Sequence, residues 1–424
     1  FGTVGSGLAE VLFTQQQRLA KRSGLTLHLA AVADTSTKEL PAHFTDTQLT
    51  NDANALINDP SIDIIVELIG GIEPAKTFVL AAIAAGKHVV TANKALLSQE
   101  GKEIFAAAAA QGVEVGFEAS VGGGIPIIKS LKEGLAANKI LSIMGILNGT
   151  GNYILTRMTD EGLPFAEVLQ EAQELGFAEA DPTYDVEGID TAHKLAILMT
   201  MAYGMNITHE DVVTEGISNI EPIDIDFARE FGHRIKLLAV SRNHDDHVEA
   251  RVHPTMVPNS HLLASINGAY NAVHFTGDMV GNILLYGQGA GQMPTGSAVA
   301  ADVVDIARDI AAGSVGRVPS LSYLPEHIGP RVIASMDMLS CPYYFRFTAL
   351  DRPGVLAEIA TILSRHKISI ESVIQKGREE SGPVSIVMMT HTAIEAAVSA
   401  ALAEIDALGA ITAPTVRIRR LVEE

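Results

Sequence analysis

Between Phe1 and Val121, short apolar runs at 26–33, 62–69, 88–91 and 113–118 alternate with alanine-rich amphipathic stretches. No other feature of the chain constrains its fold as tightly. Strand-length apolar runs alternating with helical patterns predict an α/β fold, a doubly wound parallel sheet. The stretches 77–85 and 104–110 read as crossover helices, closed by Gly86 and Gly112 at their C-terminal ends.

The chain opens FGTVGSG ahead of a helical pattern at 8–18. A turn that binds a pyrophosphate needs glycines for close backbone approach and a helix N-terminus that offers free N–H groups. Gly2 and Gly5 have the spacing of the second and third glycines of a Gly-x-Gly-x-x-Gly turn, with Thr3 and Val4 between them. This predicts a Rossmann-like dinucleotide-binding domain whose central strand, roughly ten residues, precedes Phe1. Asp34 ends the second β-like run, where a carboxylate would bind the adenosine ribose of NAD. It equally suits a turn cap over Thr35 and Ser36. Lys38 could instead meet the 2′-phosphate of NADP, so NAD(P) preference stays open.

At roughly 150 residues per domain, 424 residues suggest about three domains. From Gly122 to about 340 the texture becomes α+β. Helices are expected at 127–136, 165–175 and 297–311, with strands at 143–147, 247–257, 260–275 and 278–286. The stretch 318–342, with Pro319, Pro325 and Pro330, reads as a linker. Beyond it, 343–349, 355–365, 368–376, 384–390, 394–407 and 415–421 follow the order βαββαβ, which is ferredoxin-like. The expected division is 1–121 with a returning helix near 297–317, then 122–296, the linker, and 343–424.

The 50 acidic and 30 basic residues give a net charge of −20, which argues against nucleic-acid and membrane-surface partners. Small molecules and protein partners remain. Only 19% of residues are charged against 47% hydrophobic, a balance that favours a homo-oligomer, dimer or tetramer. The single cysteine, Cys341, permits no intrachain disulfide, and no apolar run reaches membrane-span length. A cytoplasmic protein is expected.

The densest chemistry lies at 172–194, AQELGFAEADPTYDVEGIDTAHK. Carboxylates crowd a glycine- and proline-punctuated loop that runs into a helix, where Asp190 and Lys194 are i,i+4 neighbours. The residues after Lys194 are strongly apolar, so its ammonium is expected to be partly desolvated. Burial lowers a lysine pKa and suits it to proton transfer. A solvated acidic loop with one helix salt bridge is the alternative.

This segment resembles the signature of homoserine dehydrogenases at Ala172, Gly176, Asp181, Pro182, Asp185, Gly188, Asp190 and Lys194. Also similar are Thr91 to Lys94, Glu118 to Pro126, Asn148 to Tyr153, and Gly287 to Ser297, where Gly296 replaces the more usual alanine. The resemblance implies NAD(P)-dependent interconversion of L-homoserine and L-aspartate 4-semialdehyde. Loss of hydride from an alcohol carbon also requires a base for the hydroxyl proton. The resemblance places Lys194 there, with Lys94 as a second ammonium and Asp190 orienting Lys194. It assigns Glu179 and Asp185 to the substrate ammonium and Gly149 and Thr150 to its carboxylate. It assigns Gly2, Thr3, Val4, Gly5, Asp34, Thr91, Asn93, Lys94 and Gly291 to the cofactor. Glu118, Val121, Gly123 and Ile125 resemble a loop that holds sodium, although glycine runs also form turns without metal. His193 beside Lys194 is read as a helix-face residue and not as a base.

Residues 343–420 resemble an ACT domain, in which Asp351 and Gly354 at a strand-to-helix turn would receive an amino-acid effector, here threonine. A module that only dimerises is the alternative. Two rival readings are another dehydrogenase combining the same folds, such as phosphoglycerate or prephenate dehydrogenase, and an inactive amino-acid sensor. The Glu179 to Lys194 constellation disfavours the first, and the intact Lys94, Asp190 and Lys194 disfavour the second.

Overall fold

The computed structural model describes residues 1–37, 39–375 and 383–422; Lys38, the candidate NADP contact, lies outside them. In the first region the strands Ile64–Glu67, His88–Thr91 and Val115–Gly116 form a parallel sheet, and Ala31–Ala33 pairs in parallel with Gln48–Thr50 in a separate one. Successive side chains of a strand point to opposite faces. Val89 accordingly packs with Val79, Leu96 and Ile104, on helices Ala75–Ala84 and Lys94–Gln111. Its neighbour Val90 packs with Leu8, Val299 and Val303, on helices Thr3–Thr14 and Gln292–Ala312. Helices on both faces make this region doubly wound.

The expected helix at 8–18 is two helices, Thr3–Thr14 and Gln16–Ser23. The first begins directly after Gly2. The helix expected at 297–311 starts at Gln292 and runs to Ala312. It crosses helix Thr3–Thr14 so closely that a Cβ on Gly7 would meet the Gln292 carbonyl oxygen at 2.2 Å, and one on Gly296 would meet the Gly7 carbonyl carbon at 2.5 Å. That contact explains why glycine suits position 296 here. Gly7→Ala must push two backbones apart and is expected to cost about 1–3 kcal/mol. Thermal unfolding with and without NAD(P) checks this; an unchanged transition would refute it.

Two other expectations change. The helix at 127–136 is a short α-turn, Ile127–Lys129, continued by a π-turn, Ser130–Gly134, because the Leu135 N–H donates to the Ser130 carbonyl. The strand at 260–275 is a 3-10 turn, Leu262–Ser265, followed by strand Tyr270–Gly277. The long strand His233–Asn243 was not expected, since its basic residues interrupt a strand pattern.

Among the described residues the central sheet runs from the outer strand Gly281–Gln288 through Tyr270–Gly277, Ile140–Ile146, His233–Asn243 and Val248–Pro258. It then continues into the C-terminal βαββαβ unit, because Arg419 and Arg420 of strand Ile411–Arg420 pair in parallel with Thr255 and Met256. Buried charges reinforce this join. The Arg346 Nε donates to Asp224 Oδ1 at 2.7 Å and a guanidinium nitrogen donates to Oδ2 at 3.0 Å, while the Tyr344 hydroxyl adds 2.8 Å to Oδ1. Arg419 similarly spans Glu215 and Glu395. The unit keeps its own apolar core around Phe345, Phe347, Ile359, Met388 and Val398.

Candidate active site

Helix Ile189–Tyr203 is almost wholly buried and carries Asp190 and Lys194 one turn apart. Gly188 starts it with φ +80°, and a Cβ there would meet Val252 Cγ1 at 2.9 Å, so both conformation and space require glycine. Lys94 is the first residue of helix Lys94–Gln111, which Asn93 caps by accepting the Leu96 N–H. The third contributor is helix Gly149–Glu161, capped by Asn148 through the Gly151 N–H.

These three helix starts converge on one carboxylate. Asp190 Oδ2 accepts from Lys194 Nζ at 2.7 Å, and Oδ1 pairs with Lys94 Nζ at 2.9 Å. The Asn148 amide donates to Asp190 Oδ2 at 2.8 Å and to Asp185 Oδ1 at 2.7 Å. Lys194 also donates to the Leu147 carbonyl at 2.6 Å. Two of its three ammonium positions are therefore engaged, and one is left for a ligand oxygen.

Burial pulls the Lys194 pKa down further than Asp190 can raise it, and the neighbouring Lys94 charge adds to the fall. For Lys94 burial also lowers the pKa, but the carboxylates of Asp190, Asp185 and Glu179 outweigh it and leave it raised. Asp190 is buried yet held well below the usual carboxylate range by the two lysines. Burial raises Asp185 against the Asn148 hydrogen bond. Two ammonium groups one carboxylate apart thus titrate in opposite directions. A site that must hold one proton while accepting another needs that asymmetry.

The other expected residues surround this centre. Glu179 is exposed on the loop before helix Thr183–Val186. The Gly149 and Thr150 backbone N–H groups sit at an N-terminus without intrahelical partners, and the Thr150 hydroxyl is already donated to the Phe177 carbonyl. Thr91 and Asn93 support their neighbours: the Thr91 hydroxyl donates to the buried Glu67 carboxylate, and the Asn93 amide donates to the Gly71 carbonyl. Glu67 also accepts the Ile69 and Gly70 N–H groups. Asp34 accepts the Ser36 and Thr37 N–H groups, as a turn cap does.

At the glycine-rich start, no side chain caps helix Thr3–Thr14, and a Cβ at Gly2 would meet nothing within 4 Å. An open face above unshared N–H groups fits a phosphate. Gly291, with φ +121°, begins the neighbouring helix Gln292–Ala312. The Glu118 carboxylate accepts the Ile128 and Lys129 N–H groups, and the Ile125 carbonyl accepts from Ile127. The Gly122–Gly123 turn in that loop lies against Gly289, too close for a Cβ at Gly123. Gly354, with φ +99°, opens helix Val355–Arg365, and Asp351 is exposed before it.

Sequence reasoning left Asn148 without a role, although an asparagine before Gly149 and Thr150 signals a helix cap. His193 is no ordinary surface residue: it is buried, shares a hydrogen bond with Ser98, and stacks on His209 at 3.9 Å.

A family model described as homoserine dehydrogenase matches residues 126–304, its NAD-binding domain matches 1–118, and an ACT domain matches 343–410. A homoserine dehydrogenase of Pseudomonas aeruginosa is 47% identical, over 99% of this chain and 96% of its own. The chain belongs to the homoserine dehydrogenase family. A relative of that name from Neisseria gonorrhoeae is 46% identical over the same shares. The crystal structure of a homoserine dehydrogenase from Thiobacillus denitrificans superposes with a TM-score of 0.93 at 48% identity, over 99% of this chain and 96% of that one. As a homoserine dehydrogenase the protein is an NAD(P)-dependent oxidoreductase with a Rossmann-type domain, a substrate domain and a C-terminal ACT domain. Among the described residues no helix is long and apolar enough to cross a membrane.

Proposed function

We propose that Asp190, paired at once with Lys94 and Lys194, organises the chemistry of homoserine oxidation. That shared carboxylate is the observation that carries the reading. The C4–O–H of L-homoserine approaches Lys194 in its neutral form, which takes the hydroxyl proton as the C4–H leaves as hydride. NAD(P)+, when bound at Gly2, Thr3, Val4, Gly5 and Gly291, supplies the hydride acceptor. Lys94 stays charged and stabilises the oxygen as negative charge develops on it. Asp185 and Glu179 receive the substrate ammonium, and the Gly149 and Thr150 N–H groups receive its carboxylate. In the reverse direction Lys194 returns the proton to the carbonyl oxygen of L-aspartate 4-semialdehyde.

A carboxylate that holds an ammonium is worth about 1.5–3 kcal/mol. Asp185→Asn is therefore expected to raise KM for homoserine by about ten- to a hundredfold while KM for NAD(P) holds, as read by initial rates of NAD(P)H formation. An unchanged homoserine KM would remove Asp185 from the substrate site.

Amino-acid synthesis leading to threonine, methionine and isoleucine, in the cytoplasm, is the setting that fits this reaction. The ACT domain would bind threonine at Asp351 and Gly354, where the turn presents helix N–H groups to a carboxylate. Threonine is expected to inhibit the wild type. Gly354→Ala, strained at φ +99°, should blunt that inhibition and keep the uninhibited rate. Threonine insensitivity of the wild type would exclude this effector. The carbonyls of Val121, Gly123 and Ile125, with Glu118, provide hard oxygen donors of the kind sodium takes. A homodimer or homotetramer would cover Tyr270 and the stacked Tyr286 on the outer strand Gly281–Gln288. The same reading divides the chain at 121, 296 and 342, with the helix near 297–317 returning to the cofactor domain.

A further inference from the structure

Ser98 lies one turn after Lys94 on helix Lys94–Gln111, and His193 immediately precedes Lys194 on helix Ile189–Tyr203. Positions 94 and 98 share one helix face, and 190, 193 and 194 share another. The two faces meet through two polar links, Lys94 to Asp190 at 2.9 Å and Ser98 Oγ to His193 Nδ1. Both Ser98 and His193 are buried.

Leu96, Leu97, Ile197 and Leu198 share one apolar core beside them, but part of the groove between the two helices is left open. A solvent-open cleft of about 220 Å³ lies beside the two helices, lined by Leu97, Ser98, Phe105, Ile197, Thr200 and Leu321 among others. Two helices that flank an open cleft are held there by fewer packing contacts, so a directional contact has more say in their spacing. We propose that Ser98 and His193 form a positioning clasp that holds the Lys94 helix against the Lys194 helix, setting the distance of the Lys94 ammonium from Asp190 and Lys194. The clasp rests on the reading of Lys194 as proton acceptor.

His193 suits the task because it stays uncharged. Burial, then the neighbouring His209, pushes its pKa down to about 4, so the ring keeps one donor and one acceptor nitrogen across the working range. Its ring is held between Tyr184 and the stacked His209. The charges that bear on Lys194 are Asp190 on its own helix, Lys94 from the facing helix, and Asp185 from the short preceding helix Thr183–Val186. Any change in helix spacing alters the separation of Lys94 from Lys194 and from Asp190, and with it the protonation of Lys194.

Misplacing a catalytic group by about 1 Å can cost on the order of a hundredfold in rate. Ser98→Ala, a small change in a buried site, is expected to lower kcat between about tenfold and a hundredfold with little effect on KM for homoserine. It should also displace the pH limb of kcat that Lys194 governs. Ser98→Thr, which keeps the hydroxyl, should restore both kcat and the limb. Wild-type kcat in Ser98→Ala, a fall with the limb unmoved, or no recovery with threonine would each overturn the clasp. Lys194→Ala separates the two ideas. Persistence of the limb in that variant overturns the reading of the site and the clasp with it; its loss, with the limb unmoved in Ser98→Ala, overturns the clasp alone.

Discussion

Lys194→Ala is expected to lower kcat for homoserine oxidation by two to four orders of magnitude, the span that a positioned base contributes. The substrate would lose its proton acceptor, and Asp190 would keep only Lys94 as a cation partner. The sign of the pH dependence follows from which form works. With Lys194 as the proposed proton acceptor, oxidation needs its neutral form, and the rate is expected to rise with pH through the Lys194 pKa. That pKa lies below an ordinary lysine, because burial penalises the ammonium. Reduction needs the ammonium and must fall over the same interval. Both limbs should vanish in Lys194→Ala. Lys194→Arg should be equally slow despite keeping the charge, since a guanidinium does not deprotonate at these pH values. A residual rate within tenfold of wild type, with the limbs retained, would move the proton to another acceptor.

The largest stability effect is expected at Asp224. This carboxylate is fully buried and receives Arg346 through two nitrogens together with the Tyr344 hydroxyl. Its Oδ2 also accepts the Glu221 N–H at the start of helix Pro222–Glu230. Asp224→Ala leaves a guanidinium buried without its main counter-charge. Breaking such a pair costs about 3–5 kcal/mol, a large part of the roughly 5–15 kcal/mol that keeps a domain folded. Denaturant midpoints should fall accordingly. Glu221, exposed and 3.1 Å from Arg346, is placed to recover only a fraction of the loss. Arg346→Met combined with Asp224→Leu removes both charges and should be far milder than either change that strands one ion. A loss below about 1 kcal/mol in Asp224→Ala would mean that water reaches the arginine.

What was legible in the sequence was what a single element encodes. Asp190 and Lys194 sit four residues apart on one apolar helix, so their pairing could be read directly. The βαββαβ order of the C-terminal unit was equally local, since each strand and helix has its own periodicity. Contacts between distant elements were not legible. Asn148 joins Asp185 to Asp190 across 37 and 42 positions, and its neighbours signal only a helix cap. Ser98 meets His193 across 95 positions, and neither residue type betrays a partner. Strand His233–Asn243 was obscured by Lys236, whose ammonium is buried against Asn152, Asn267 and the Ile266 carbonyl. A lysine satisfied by neutral oxygens is rare enough that pattern reasoning treats it as surface.

The continuous sheet bears on how this enzyme can be taken apart. Removing the chain from Tyr343 onward would turn strand Val248–Pro258 into a raw edge at Thr255 and Met256, and would strip Asp224 and Glu215 of their arginines in one cut. Unpaired edges recruit other chains, and stranded carboxylates loosen the helix and loop that carry them. Glu215 lies in the segment whose Ile217 N–H donates to the Val186 carbonyl, just before Gly188 and helix Ile189–Tyr203. A truncated enzyme is thus expected to aggregate or melt early, so point changes at the Asp351–Gly354 turn are the better test of the proposed threonine control, since they separate loss of control from loss of fold.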